Sequence, residues 1–104
     1  NQKEKCMIQL TADNFDEEVK EGKTLIDFWA PWCGPCRMQS PILEQLEASG
    51  AAVKICKVNV DEQPDLAKRF GILSIPTLIL MQNGVLKDKQ VGLTSLDELN
   101  EFIT

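Results

Sequence analysis

Five short apolar or alternating runs, separated by helix-patterned segments, leave this chain few folds to choose from. Met7–Gln9, Thr24–Trp29, Val53–Val60, Thr77–Met81 and Val85–Val91 are rich in β-branched, aliphatic or aromatic residues and read as strands. Thr11 is a good N-cap for a helix whose Phe15 and Val19 share a face, and Gly22 ends it. Met38, Ile42 and Leu46 recur at helical spacing in a second helix that runs to about Ser49, with Gly50 as its stop and Pro41 as an internal kink. Asp61–Pro64 opens a third helix carrying Leu66, Ala67 and Phe70, closed by Gly71. Asn83-Gly84 signals a hairpin between the last two strands. Ser95 and Glu98 form a capping box for a final helix that turns Leu96, Leu99 and Ile103 inward. The order predicts an α/β fold: a single mixed five-stranded sheet flanked by four helices on both faces. Strands joined through helices are expected to run parallel and the hairpin antiparallel.

At 104 residues the chain is expected to be one domain over 1–104, long enough to bury a core without disulfide support. No apolar run approaches the roughly 20 residues needed to cross a bilayer. Net charge is −5 with Lys and Arg scattered, which argues against nucleic-acid or anionic-membrane binding. The polar start Asn1–Lys5 is unlike a signal peptide. Four cysteines are too few for a disulfide scaffold; Cys56 reads as a small buried hydrophobe and Cys6 as a thiol that is partly exposed near the chain end.

The remaining two, Cys33 and Cys36 in Trp32-Cys33-Gly34-Pro35-Cys36, sit where a strand gives way to a helix. Positions three apart share a helix face, so the sulfurs can meet and close a disulfide. Free N–H groups and the helix dipole at that end favour an anion, and a thiolate is the anion at hand. Pro35 suits the first turn, where its missing N–H costs nothing, and Gly34 leaves the backbone between the sulfurs uncrowded. Cys-x-x-Cys is also half of a zinc site, but the chain has no His, and Cys6 and Cys56 are not spaced as a second knuckle. The favoured reading is a redox pair at the carboxyl end of the second strand, where open α/β sheets place their sites.

The run Asp27-Phe28-Trp29-Ala30-Pro31-Trp32-Cys33-Gly34-Pro35-Cys36 resembles the thioredoxins, and the likeness extends along the chain. Pro41, Lys57-Val58-Asn59-Val60-Asp61, Ile75-Pro76-Thr77 and Val91-Gly92 follow in the family's order and separation. The resemblance implies the thioredoxin fold and a general protein-disulfide reductase. Cys33 would be the attacking thiolate and the more exposed sulfur, with Cys36 the shielded resolving cysteine. It implies no bound cofactor; electrons would come from NADPH through a separate flavoprotein, thioredoxin reductase, or a ferredoxin-linked equivalent. Partners would be that reductase and disulfide-containing proteins, with a monomeric protein in the cytoplasm.

Asp27 lies among Leu25, Ile26, Phe28 and Trp29, so its carboxyl should be poorly solvated and its pKa raised. The matching family residue is thought to take the proton of the resolving cysteine, and Lys57 resembles the lysine coupled to it. Pro76 resembles the family's cis-proline, which presents the Ile75 backbone to an extended substrate. Trp32, Gly34, Pro35, Ile75, Val91 and Gly92 resemble the apolar docking patch, with Gly92 allowing close approach. Trp29 reads as core. Pro31, Phe70, Ser74 and the absence of Tyr depart from the commonest family pattern. Rival readings are an oxidant or isomerase on the same fold, against which Gly34-Pro35 argues, and a binding subunit that would survive loss of both cysteines.

Overall fold

The computed structural model describes residues 7–104. Strands are β1 (Ile8–Gln9), β2 (Lys23–Trp29), β3 (Lys54–Asn59), β4 (Thr77–Gln82) and β5 (Val85–Val91); helices are α1 (Phe15–Val19), α2 (Gly34–Ala48), α3 (Pro64–Arg69) and α4 (Leu96–Phe102). They form one five-stranded sheet in the order β1-β3-β2-β4-β5. The Asn1–Lys5 segment and Cys6 lie outside the described residues.

Strand alternation sorts the core into two layers. Ile26, Phe28, Cys56, Val58, Ile79 and Met81 point to one face and pack with Phe15 and Val19 of α1 and Leu66 of α3. Leu25, Ile55, Leu78 and Leu80 point to the other, against Leu43 and Leu46 of α2, Leu99 of α4 and Ile103 just after it. Asp27, Trp29 and Lys57 share the parity of Leu25 and Ile55, so they belong to the layer under α2.

β1, β3 and β2 are parallel, and β5 runs antiparallel to β4. β4, although it follows a helix, runs antiparallel to β2, against expectation. Helix α3 is the reason: its six residues rise only about 9 Å, against about 20 Å for a strand of that length. The chain therefore never returns to the far end of the sheet, and β4 starts beside the end where β2 finishes. This reversal places Ile75 and Pro76 near the Cys-x-x-Cys loop.

Two other local expectations change. Thr11 does not cap α1. The Asn14 side chain folds back to accept the Thr11 N–H at 2.7 Å, and Thr11 heads a turn whose carbonyl accepts the Phe15 N–H at 3.0 Å. On α2 the buried row is Cys36, Gln39, Leu43 and Leu46, while Met38 is 61% exposed. The helix continues through Pro41, which leaves the Arg37 carbonyl without its helical donor. Elsewhere the signals read in the chain hold. Ser95 accepts the Glu98 N–H while Glu98 accepts the Ser95 N–H, and Asn83 and Gly84 both take the positive φ of a tight hairpin turn.

Candidate active site

At the carboxyl end of β2 the backbone leaves the sheet through Ala30 and Pro31 and turns into α2. Cys33 is the N-cap residue, with an extended backbone, and Pro35 stands in the first turn. The Cys36 N–H, one of the donors a helix start leaves free, points at Cys33 Sγ at 3.2 Å. Cys33 and Cys36 are joined as a disulfide, their Cα atoms 5.3 Å apart. That N–H and the positive end of the helix dipole both face Cys33 Sγ.

The two cysteines are buried alike, at 4% and 3% exposure, so Cys33 is not the more open residue in this state. Ala30 and both cysteines make a small cluster closed by Trp29, Val60 and Ile75, and the Ile75 carbonyl lies 3.8 Å from Cys33 Sγ. The Ile75–Pro76 bond is cis, as the family resemblance implies. The Thr77 hydroxyl donates to the Ser74 carbonyl at 2.7 Å, and the Gly92 N–H donates to the Pro76 carbonyl at 2.8 Å. Trp32, Ile75, Pro76, Val91 and Gly92 thus converge on the sheet end that carries the disulfide.

Exposed apolar side chains lie there, as others do at the opposite end of β5 (Val85, Leu86) and on α2 (Met38). Trp32, Leu73, Val91 and Leu93 are 67%, 98%, 60% and 43% exposed. A cleft of about 320 Å³ lined by Trp32, Val60, Ala67, Ile72, Leu73, Ser74 and Ile75 runs beside Cys33. Asp61 holds the Trp32 ring in place, accepting its Nε1–H at 2.9 Å. In the sequence Asp61 signals only the opening of a helix, and nothing local points to this contact; Leu73 carries no signal beyond its position before Pro76. Gly34 and Gly92 differ in kind. A Cβ at Gly34 would meet only open space, whereas Gly92 sits at φ +94, a backbone that side chains resist. The demand on Gly92 within the chain is conformational; no neighbouring atom crowds it.

Asp27 is fully buried, and neither carboxylate oxygen has a hydrogen-bond partner. Burial pushes its pKa up to about 7, an effect that the Lys57 charge partly offsets. Lys57 pairs with Asp27 in the β2–β3 register. Its ammonium, however, donates to Ser40 Oγ at 3.2 Å and lies 4.5 Å from the centre of the Trp29 ring. Trp29 is half-buried and acts as a platform for that charge. A pocket of about 130 Å³ lined by Trp29, Ala30, Pro31, Cys36, Arg37, Ser40 and Lys57 connects this corner to the buried cysteine. Nothing in the sequence singles out Ser40, because a serine within a helix gives no signal of its own.

Phe70 packs on Phe15 and Phe28 with centroids 5.3 and 5.9 Å away, so it is part of the core and takes no part at the thiols. Cys56 is a fully buried thiol whose pKa burial pushes up to about 12. Among the described residues no group of three or more His, Cys, Asp or Glu is placed to hold a metal ion, and no helix is long and apolar enough to cross a membrane.

Comparison with known proteins agrees with this geometry. The family model for thioredoxin matches residues 6–104. The chain is 45% identical to the thioredoxin of Listeria monocytogenes over 96 residues, 91% of this chain and 93% of that one. It is 48% identical to that of Chlamydia caviae over 94 residues, covering 90% and 92%. Among solved structures it is similar to oxidised mitochondrial thioredoxin 3 of Saccharomyces cerevisiae, with a TM-score of 0.85 at 36% identity, covering 93% and 92% of the two chains. A thioredoxin variant from Halobacterium salinarum superposes with a TM-score of 0.88 at 32% identity, covering 95% and 88%. With a matching fold, a Cys33–Cys36 disulfide at a helix start and relatives of this similarity over nearly its whole length, the chain belongs to the thioredoxin family.

Proposed function

We propose that this protein is a general protein-disulfide reductase that works by dithiol–disulfide exchange. The observation that carries the reading is the Cys36 N–H directed at Cys33 Sγ at the start of α2, which supports Cys33 as the sulfur to be held as a thiolate. In the reduced protein the Cys33 thiolate attacks one sulfur of a substrate disulfide and releases the other as a thiolate. Cys36 then gives up its proton and attacks Cys33 Sγ, which closes the Cys33–Cys36 bond and releases the second substrate thiolate. Two electrons pass to the substrate, which takes up two protons as its thiols form.

Asp27 is the base for the Cys36 proton in this reading. A carboxyl with its pKa near 7 can accept and return a proton at neutral pH. Lys57, its register neighbour, tunes that carboxyl and lines the pocket that reaches Cys36. Trp32, Gly34, Pro35, Ile75, Pro76, Val91 and Gly92 form the docking face. A substrate lies extended along the Ile75 backbone, so recognition demands little of its sequence. Oxidised protein is returned to the dithiol form by a flavoprotein thioredoxin reductase fed by NADPH, the protein itself holding no cofactor. It acts as a monomer in the cytoplasm, as one domain over 1–104.

The test is the equilibrium potential of the Cys33–Cys36 couple, titrated against glutathione and dithiothreitol. A value to the reducing side of the cytosolic glutathione poise is expected. A value to the oxidising side would reassign the protein to disulfide formation or isomerisation. In parallel, Cys36→Ser should accumulate a mixed disulfide through Cys33, and Cys33→Ser should accumulate none.

A further inference from the structure

Gln39 occupies the inward row of α2 between Cys36 and Leu43 and is fully buried. An amide in that position destabilises a core unless both its ends are paired. Both are, and by one residue: Gln39 Nε2 donates to the Thr94 carbonyl at 3.0 Å, and Gln39 Oε1 accepts the Thr94 N–H at 2.8 Å. The side chain thus stands in for a neighbouring peptide and grips the backbone of the loop between β5 and α4. Thr94 is itself fully buried, and its hydroxyl donates to the Gly92 carbonyl at 3.0 Å. Gly92 in turn donates to the Pro76 carbonyl at 2.8 Å. A continuous set of bonds therefore runs from α2, one turn past Cys36, through Thr94 and Gly92 to the proline beside Cys33.

From this chain of contacts we propose that Gln39 is a positioning residue for protein substrates. It sets where the Val91–Leu93 wall of the docking face stands relative to the Cys33–Cys36 pair. The inference rests on the reading of Val91 and Gly92 as docking residues. A leucine at this position would fill the volume but leave the Thr94 N–H and carbonyl buried and unpaired, so the loop would have to move toward water to satisfy them. Gly92, tied to Thr94, would move with it. The sulfurs would keep their helix start, because the Cys33–Cys36 contacts do not involve this loop.

Pre-reduced wild type, Gln39→Leu, Thr94→Val and Val91→Asp should be compared on two disulfides, insulin and the small aryl disulfide dithiobis(nitrobenzoate). Thr94→Val keeps both Gln39 bonds and removes only the hydroxyl link to Gly92. For Gln39→Leu the expected result is a KM for insulin raised roughly three- to tenfold, the worth of one or two hydrogen bonds, with kcat and the rate on the aryl disulfide unchanged. Thr94→Val should raise the same KM by a smaller factor, and it carries the test if Gln39→Leu does not fold. Faster hydrogen exchange at the Gly92 amide in the variants would support the same link. An unchanged insulin KM in the folded variants would overturn the inference, as would equal slowing on both disulfides, which would mean a disturbed redox pair. Val91→Asp separates the two readings. If it raises the insulin KM while Gln39→Leu does not, only the inference fails. If Val91→Asp leaves that KM unchanged, the docking reading fails and the inference with it.

Discussion

Replacing Asp27 by Asn should stabilise this protein by an amount that grows with pH, and the size follows from the burial of one carboxyl. Its pKa is raised from 3.8 to about 7 because burial disfavours the anion. The folded protein therefore binds more protons than the unfolded chain between those values, so wild-type stability falls as pH rises through that window. At about 1.36 kcal/mol per unit the ionised group costs about 4 kcal/mol once pH exceeds 8, about 2 kcal/mol near pH 5.5, and nothing below the unfolded pKa. Asn has the same shape and cannot ionise, which removes that dependence. Denaturant unfolding of the oxidised forms at matched pH should give variant-minus-wild-type differences that rise along that curve and level off above pH 8. A constant offset from pH 5 to pH 9 would refute the argument, because it would mean that Asp27 does not change ionisation in that range. Oxidised protein is the right material, since no thiol at Cys33 or Cys36 then titrates.

Three further outcomes can be checked together. Lys57→Met removes the charge that partly offsets burial, so Asp27 should titrate above 7, seen as an alkaline shift of its carboxyl resonance in carbon NMR; a shift toward acid would contradict the electrostatics. Cys56, with its pKa pushed to about 12 and no exposed surface, should resist iodoacetamide at pH 8 in the folded protein and react once it is unfolded. Ser95→Ala breaks the capping box of α4 and should cost about 1 kcal/mol in denaturant unfolding without altering disulfide reduction.

Much of the fold could be read from the chain because its local signals agree with one another. β-branched runs mark β2, β3 and β4, Asn83-Gly84 marks the hairpin, and Ser95 with Glu98 marks α4. The burial of Asp27 was legible from its apolar neighbours. What failed was information held by partners distant in sequence. Of Met38, Ile42 and Leu46, Leu46 is buried and Ile42 packs against the core, but Met38 faces out: the buried row passes instead through a polar residue, Gln39, whose pairing with Thr94 cannot be seen from the helix alone. The direction of β4 depended on the shortness of α3, a length that local patterns define poorly. Lys57 does act on Asp27 through its charge, as expected, but its hydrogen bond to Ser40 and its seat over Trp29 depend on elements it meets only in the fold.

The reversal at β4 also bears on the order in which this chain is made. β2, the middle strand, pairs with β3 on one side and with Thr77–Gln82 on the other, so its second neighbour does not exist until most of the protein has been synthesised. Cys33 and Cys36 emerge long before Ile75 closes over them and before Gly92 binds Pro76. A nascent or truncated chain ending ahead of β4 would carry both thiols without Ile75 packed over them or the Pro76 carbonyl held by Gly92. On the proposed reading, selective exchange belongs to the completed sheet, and a chain cut within the α3–β4 connection should lose any preference for protein over small-molecule disulfides, compared on insulin and dithiobis(nitrobenzoate).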